Sequence, residues 1–214
     1  MNAAFLIVFF LIGSSQAAVC LPDSVNLTFA EDSIADLRPM EEAASQFESQ
    51  ITPMLPQHHD LTINLEPNNP RINAEIVKNN QLIVLSVWGG MMAHPLMTSE
   101  TFLLLLCHEV GHLLGGSPLK ARDHWSSTEG QADYYSTAKC ARRMGLQEGQ
   151  VIDGALNLSR IYAQVTSEPA PKLDRSDSTR PVRTNYGYPP VQCRLDTLLA
   201  GWRGMKRPSC WFVN

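Results

Sequence analysis

Hydrophobic and polar positions divide the chain into a mixed first half and a helical second half. After Pro39 the apolar residues recur at helical spacing as far as Ile51, which predicts an amphipathic helix with the proline in its first turn. Residues 61–65 alternate between apolar and polar, as a strand with one buried face does. Residues 72–77 and 81–88 predict two further strands that form a hairpin. The first half therefore predicts one helix followed by a small sheet.

Helical spacing dominates the chain from residue 97 onward. Residues 97–114 predict a helix with Thr98 as its N-cap and Gly115-Gly116 as its end. Its centre, residues 102–106, is apolar on every face, which indicates a helix packed in the core. Further helices are predicted over residues 126–144, 148–165 and 191–203, and a long proline-rich loop over 168–190. The pattern predicts a single α+β domain, mostly helical, with a small β-sheet next to the helix at 97–114.

The most informative segment, His108-Glu109-Val110-Gly111-His112, lies in the last turns of that predicted helix. Residues four apart on a helix share one face, so His108 and His112 can direct both imidazoles at one metal ion. Glu109 lies about 100° further round the helix, where it flanks such an ion without ligating it. This is the position of the general base that activates a metal-bound water, and Glu109 is therefore the expected catalytic residue.

A second acidic segment, Glu129-Gly130-Gln131-Ala132-Asp133, begins the next predicted helix. Glu129 is the expected third metal ligand, because a catalytic zinc site takes three protein ligands and leaves the fourth position to water. Asp133, one turn later, is expected to accept the N–H of a ligating imidazole and so fix its orientation.

Alternatives to this ligand set lie close by in the sequence. Ser126 fits an N-cap, in which case Glu129 would complete a capping box and be structural. Asp123 and His124 are the competing third ligands. Pro118 stands where the longer H-E-x-x-H-x-x-G-x-x-H pattern has a third histidine, so a site of that class is not expected.

The H-E-x-x-H segment followed by E-x-x-x-D resembles the gluzincin metallopeptidases, the clan of thermolysin. The form Glu129-x-x-Ala132-Asp133 is similar to the HtpX-like peptidases and their soluble exported relatives, and the resemblance covers residues 98–140. It implies a zincin-like fold, Zn²⁺ as the cofactor and a peptide or protein as the substrate. It also implies a role for each motif residue: His108, His112 and Glu129 as zinc ligands, Glu109 as general base and Asp133 as imidazole orienter.

The same resemblance implies a place for the substrate and limits on it. In gluzincins an edge strand beside the cleft pairs with an extended peptide, and Leu82–Trp88 is the candidate for that strand. Gln131 and Ser136 depart from the HtpX-like pattern but replace no proposed ligand. The membrane-spanning helices of the HtpX-like enzymes are absent from this sequence, so a shared membrane substrate is not expected.

The first 17 residues predict a signal peptide. They carry no charged side chain, and residues 3–12 form an apolar run that is too short to span a bilayer. Ser15 and Ala17 supply the small residues of a cleavage site, which leaves 18–214 as a metallopeptidase-like domain. The expected location is secreted or periplasmic, with no stable membrane insertion after cleavage.

Five cysteines in an exported chain predict disulfide bonds. The sequence leaves their connectivity open. Cys193 and Cys210 flank the last predicted helix and are candidates for one bond, and Cys107 and Cys140, on the two helices that carry the expected metal ligands, are candidates for another. Cys20 is left over. Three fates stay open for its thiol: it is inert, it pairs between chains, or it folds back onto the zinc as an inhibitory ligand.

Charge limits the range of partners. The net charge is −4 and the basic residues form no stripe, so nucleic acid is not an expected partner. The expected function is zinc-dependent peptide-bond hydrolysis. The alternatives are an exported zinc-binding protein without catalysis and a cell-wall peptide hydrolase. The donor for the tetrahedral oxyanion is not identified, and the candidates are His124, Tyr134, Tyr186 and Tyr188.

Overall fold

The computed structural model describes residues 16–22, 37–56, 59–121 and 124–213. Most of the expected signal peptide, residues 1–15, and the candidate ligand Asp123 lie outside the described residues. The described part is an α+β domain in which a small mixed sheet lies beside a group of helices, and this confirms the predicted fold class. No helix in this part is long and apolar enough to cross a membrane.

The sheet has four strands in the order β1-β3-β4-β2. β1 pairs antiparallel with β3, β3 pairs antiparallel with β4, and β2 runs parallel to β4. The bounds of the strands are Gln16–Val19 for β1, Asp60–Glu66 for β2, Ala74–Asn79 for β3 and Leu82–Trp88 for β4. The hairpin predicted between residues 72 and 88 is confirmed as the β3–β4 pair, and its turn contains Asn80 in the left-handed region, at φ 52°.

Two findings in the sheet differ from the sequence prediction. Leu82–Trp88 is not an edge strand, because β3 and β2 cover both of its sides. β1 was not predicted at all, since Gln16 and Ala17 were assigned to the end of the leader. Ala18 is fully buried in this strand, which therefore belongs to the core.

The helices follow the predicted pattern closely. Their bounds are Arg38–Ile51 for α1, Gly89–Met92 for α2, Ser99–Leu114 for α3, Glu129–Tyr135 for α4, Ala141–Arg143 for α5, Glu148–Thr166 for α6 and Val191–Trp202 for α7. A π-helical turn, Ser136–Cys140, joins α4 to α5. Thr98 caps α3 by accepting a hydrogen bond from the Thr101 N–H at 3.2 Å, as predicted.

α3 runs through the centre of the domain and packs against α1, α4 and α6. Phe102, Leu104, Leu105 and Leu106 are fully buried, as their pattern predicted, and Leu103 is partly buried. α3 also approaches α4 closely at Gly111, where a Cβ atom would lie 2.7 Å from the Ala132 carbonyl oxygen. The absence of a side chain at Gly111 therefore sets the separation between the two helices that carry the metal-binding motif.

Both predicted disulfides are present. Cys107 in α3 is bonded to Cys140 in the π-helical turn, which ties together the two helices of the motif. Cys193 in α7 is bonded to Cys210 near the end of the described chain. Cys20 is the free cysteine and is fully buried.

Candidate metal centre

His108, His112 and Glu129 form a buried group that can hold a metal ion. Glu129 Oε2 lies 3.3 Å from His108 Nε2, and Glu129 Oε1 lies 3.5 Å from His112 Nε2. The two imidazole rings are 4.8 Å apart and nearly perpendicular, at 80°. The helical spacing of the histidines and the close approach of α4 thus bring two nitrogens and a carboxylate to a common point, as the sequence predicted.

Each imidazole is oriented through its other nitrogen. His108 Nδ1 lies 2.8 Å from Asp133 Oδ1, which is the contact expected of Asp133. His112 Nδ1 lies 2.8 Å from the backbone carbonyl of Ser127, and it donates to that oxygen. Both rings therefore present Nε2 to Glu129. The Ser127 carbonyl was not foreseen, because a backbone acceptor in a loop has no sequence signature.

The alternatives for the third ligand can now be compared with Glu129. The capping box is not formed: Thr128, rather than Ser126, is the N-cap residue of α4, and the Ser126 hydroxyl donates to the Ser127 carbonyl at 3.2 Å. His124 accepts a hydrogen bond from the Ser126 N–H at 3.0 Å and stacks on Trp125. It is not part of the group at His108.

The electrostatics of the group favour unprotonated ligand atoms at Glu129 and His112. Burial opposes a charge on Glu129, but His112, His108 and Lys120 together hold the pKa of this carboxyl well below its usual range. Burial lowers the pKa of His112 to about 3, so its ring is neutral at ordinary pH. Metal ions bind a carboxylate and a neutral imidazole, and these are the forms that the surroundings stabilise at Glu129 and His112. At His108 burial opposes a charge, but Cys20 and Asp133 raise the pKa of the ring well above its usual value, so this ring has to release a proton when a metal ion binds.

Glu109 lies beside the group and is fully buried. Neither of its carboxylate oxygens has a hydrogen-bond partner among the described residues, and the same holds for His112 Nε2. Burial raises the pKa of Glu109 to about 7. A buried carboxyl without partners is costly to maintain, and a pKa near neutrality suits a group that exchanges protons at ordinary pH.

Arg194 in α7 is a buried residue of the site that sequence reasoning missed. Its Nε and Nη2 donate to Asp133 Oδ2 and Oδ1 at 2.8 and 2.9 Å, and its Nη2 lies 3.6 Å from Glu129 Oε2. Its guanidinium carbon lies 4.0 Å from the centre of the Tyr162 ring. Burial opposes a charge on Asp133, but Arg194 and then His108 lower the pKa of this carboxyl, so Asp133 stays an acceptor for the imidazole.

Lys120 is a second cation at the site that was not predicted. Its Nζ lies 2.9 Å from Glu129 Oε1, and its side chain is 24% exposed. It reaches Glu129 from the loop between α3 and α4, where Leu119 and Ser127 form an isolated bridge. Nothing in the local sequence signals this contact, since the loop folds back over Glu129 only in three dimensions.

Cys20 completes a second buried group with His108 and Glu109, in which the ligand atoms lie within 4.8 Å of one another. Its Sγ is also 2.9 Å from the Tyr162 hydroxyl. Burial raises the pKa of this thiol. The Cys20 thiol therefore lies beside the candidate metal centre, in the interior of the domain.

Three of the four candidate oxyanion donors are tyrosines, and their hydroxyl groups differ in hydrogen-bond partner. Tyr134 donates to the Met205 carbonyl at 2.6 Å, and the Tyr186 hydroxyl has no partner among the described residues. Tyr188 donates to the Val19 carbonyl at 2.8 Å. Burial, together with the nearby Glu129, raises the pKa of Tyr188, so it remains a hydrogen-bond donor. Within the loop at residues 168–190, Tyr188 is therefore the tyrosine that reaches the site.

Comparisons with known proteins do not assign this chain to a family. No protein-family model, no curated protein and no solved structure matches it.

Proposed function

We propose that this protein is a zinc-dependent peptidase whose metal is held by His108, His112 and Glu129. The observation that carries the proposal is the convergence of the three ligand atoms. Ligands about 2.0–2.2 Å from a tetrahedral zinc ion lie about 3.4 Å from one another. Glu129 Oε2 lies 3.3 Å from His108 Nε2, and Glu129 Oε1 lies 3.5 Å from His112 Nε2, so the carboxylate is at this distance from both imidazoles through one oxygen each. Two imidazoles and one carboxylate are also a donor set of catalytic zinc sites, which leave one position open.

The residues around these ligands have the contacts that hydrolysis requires. Asp133 and the Ser127 carbonyl hold the two imidazoles so that Nε2 of each is available. Bound zinc would lower the pKa of a coordinated water and polarise the scissile carbonyl. Glu109 then takes a proton from the attacking water and passes it to the departing amine, a role that suits a partnerless carboxyl with a pKa of about 7.

Tyr188 is the donor we assign to the tetrahedral oxyanion. Its hydroxyl already donates to a peptide carbonyl, that of Val19, at 2.8 Å. A donor fixed beside the reacting carbonyl stabilises the negative charge that develops on its oxygen. The two disulfides are consistent with the exported location that the leader predicts, since such bonds persist in oxidising compartments.

A second candidate function is a structural zinc site without catalysis. Cys20 favours it, because a thiolate beside His108 would provide a fourth protein ligand, and structural zinc sites are closed in this way. Glu109 argues against it, since a closed structural site has no use for a buried carboxyl without hydrogen-bond partners.

The test of the proposed function is cleavage of a diverse peptide mixture, read by mass spectrometry. The test is made with the Cys20→Ser variant, which lacks the thiol beside His108. It is compared with its chelated form and with its Glu109→Gln form, and Glu100→Gln serves as the matched control on the same helix. We expect cleavage by Cys20→Ser and by its Glu100→Gln form, and none after chelation or in the Glu109→Gln form. Cleavage that persists in the chelated sample, or an equal rate in Glu109→Gln, would overturn the proposal.

A further inference from the structure

The segment of residues 16–21 lies against the candidate metal centre as an extended strand. β1 pairs with β3 in register from Gln16 opposite Lys78 to Val19 opposite Glu75. The pairing continues past the strand, because the Cys20 N–H donates to the Ala74 carbonyl at 3.0 Å. β3 is therefore the strand that would form this edge of the described sheet if the segment were displaced.

Side chains of the domain also hold the backbone of this segment. Asn73 accepts from the Leu21 N–H and donates to the Leu21 carbonyl, both at 3.1 Å. Tyr188 donates to the Val19 carbonyl at 2.8 Å, and Arg194 Nη1 lies 3.5 Å from the Cys20 carbonyl. These contacts go to main-chain atoms, so they would hold an extended peptide of another sequence equally well.

The Cys20 side chain points at the reactive part of the site. Its Sγ forms a group with His108 Nε2 or Nδ1 and a Glu109 oxygen within 4.8 Å, and all three residues are fully buried. The Glu109 carboxylate in this group, and His112 Nε2 in the neighbouring group of metal ligands, have no hydrogen-bond partner among the described residues. His108 belongs to both groups, so Cys20 approaches the candidate metal centre from the side of His108 and Glu109. A thiolate is a strong zinc ligand, and a catalytic zinc site leaves one position open for a further ligand.

We propose that residues 16–21, of which 18–21 remain after the predicted cleavage of the leader, occupy the substrate site of the peptidase and that Cys20 closes it as the fourth zinc ligand. The inference rests on the proposed function. Cys20 binds as the thiolate, and its proton passes to solvent. The chain is then latent, and it becomes active when this segment leaves the β3 edge.

The same contacts define the substrate class. A substrate takes the place of residues 16–21 and extends along β3, with Asn73 and Tyr188 on its main chain. Recognition through backbone hydrogen bonds favours extended, unfolded segments and imposes little selection on their sequence. Folded proteins without an exposed segment are not expected to be cut.

The first test is spectroscopic, and its decisive measurement is made on the unaltered protein. The other four cysteines are in disulfide bonds, so a thiolate-to-metal absorption band in the cobalt-substituted protein has to come from Cys20. We expect this band in the unaltered protein and its loss in Cys20→Ser. Cobalt bound one per chain without the band would overturn the inference, whether or not the variant folds.

The second test measures metal content and peptide cleavage in the same two proteins. We expect one zinc per chain in both, and a rate about tenfold or more higher in Cys20→Ser, because the closed state no longer dominates. Cys20→Ala serves as a second variant in case serine disturbs folding. Tyr188→Phe and Tyr186→Phe form a matched pair. Only Tyr188→Phe should alter the cleavage rate, since Tyr188 donates to the Val19 carbonyl and Tyr186 makes no hydrogen bond to the segment in the part of the chain that the structure describes.

The outcomes separate the inference from the proposed function. Equal, zinc-dependent cleavage by the unaltered protein and Cys20→Ser would overturn latency but keep the peptidase. Loss of zinc in Cys20→Ser without cleavage by either protein would overturn both and leave a structural zinc site closed by Cys20. A peptide of the sequence of residues 16–21 is expected to inhibit Cys20→Ser, and the same peptide with serine at the cysteine should inhibit it less.

Discussion

Arg194 in α7 donates two hydrogen bonds to Asp133 in α4, from Nε to Oδ2 at 2.8 Å and from Nη2 to Oδ1 at 2.9 Å. Both side chains are buried, and Asp133 in turn lies 2.8 Å from His108 Nδ1. A chain of charge-assisted contacts therefore runs from α7 to the imidazole that faces the metal position. Arg194 is a positioning residue that acts on the site through Asp133, and its Nη2 also lies 3.5 Å from His108 Nε2 and 3.6 Å from Glu129 Oε2.

Replacing Arg194 should weaken the metal site as well as the fold. Arg194→Met leaves Asp133 buried without its cation, which should cost about 3–5 kcal/mol of unfolding free energy. Zinc affinity should fall about 10–100-fold, since Asp133, which orients His108, loses the guanidinium that holds its carboxylate in place. Urea unfolding and zinc titration measure the two effects, with Arg160→Met on an exposed face of α6 as the control. Unchanged zinc affinity in Arg194→Met would contradict a positioning role.

Gly111→Ala tests the close approach of α3 and α4. The new Cβ would lie 2.7 Å from the Ala132 carbonyl oxygen and 2.9 Å from the Ala132 Cα. The helices must then move apart, which should cost about 1–3 kcal/mol and draw Glu129 away from the histidines. Gly149→Ala in α6 is the matched control, since its Cβ meets nothing within 4 Å. If both variants bind zinc with the affinity of the unaltered protein, the packing argument is wrong.

Lys120 competes with the metal for Glu129. Its Nζ lies 2.9 Å from Glu129 Oε1, the oxygen that is 3.5 Å from His112 Nε2. Lys120→Met removes both a competing partner and a positive charge, so zinc affinity should rise. The gain should be about two- to fivefold, the range expected of a partly exposed ion pair. Lys139→Met, on an exposed position of the π-helical turn, should leave the titration unchanged. A loss of affinity in Lys120→Met would show that the lysine supports the site.

His94 should make the stability of the fold depend on pH. Its Nε2 lies 2.8 Å from Gln164 Oε1 and its Nδ1 accepts from the Leu96 N–H at 3.1 Å, which fits a neutral ring protonated at Nε2. Burial lowers the pKa of His94 in the folded protein. Below a pH of about 6.5 the unfolded chain therefore binds more protons than the folded one, and stability falls as pH falls.

Urea unfolding at several pH values measures this effect. The difference in unfolding free energy between the unaltered protein and His94→Gln isolates the contribution of this histidine from that of other groups. We expect a flatter profile for His94→Gln below pH ~6.5. Parallel profiles for the two proteins would rule out His94 as the source.

The grouping of the candidate metal ligands could be predicted because these residues follow one local rule. His108 and His112 share a helix face by their spacing, and the segment that contains Glu129 and Asp133 repeats that spacing on the next helix. The boundaries of α3, α6 and α7 were also predicted to within two residues, from their caps and flanking glycines and prolines. The helix predicted over residues 126–144 was wrong at its start, because Thr128 rather than Ser126 is the N-cap, and a π-helical turn interrupts it. What the sequence does not state is the approach of the two helices, which depends on the contact between Gly111 and Ala132.

The remaining residues of the site come from distant parts of the chain. Arg194 had a signal, because it stands on the apolar stripe of α7 between Val191 and Leu198, where a charged residue has to find a buried partner. Lys120 and β1 had none. The choice of Leu82–Trp88 as the substrate strand failed for a related reason: periodicity identifies a strand but not its place in a sheet.

The central claim is that Glu129 binds the metal and Glu109 does not. The most direct test is zinc titration of the metal-free protein in two matched variants, Glu129→Gln and Glu109→Gln. We predict one zinc per chain and little change in affinity for Glu109→Gln. For Glu129→Gln we predict a loss of more than about 100-fold, since even the partners behind metal ligands contribute about 10–100-fold. Unchanged affinity in Glu129→Gln would contradict the assignment of the metal centre.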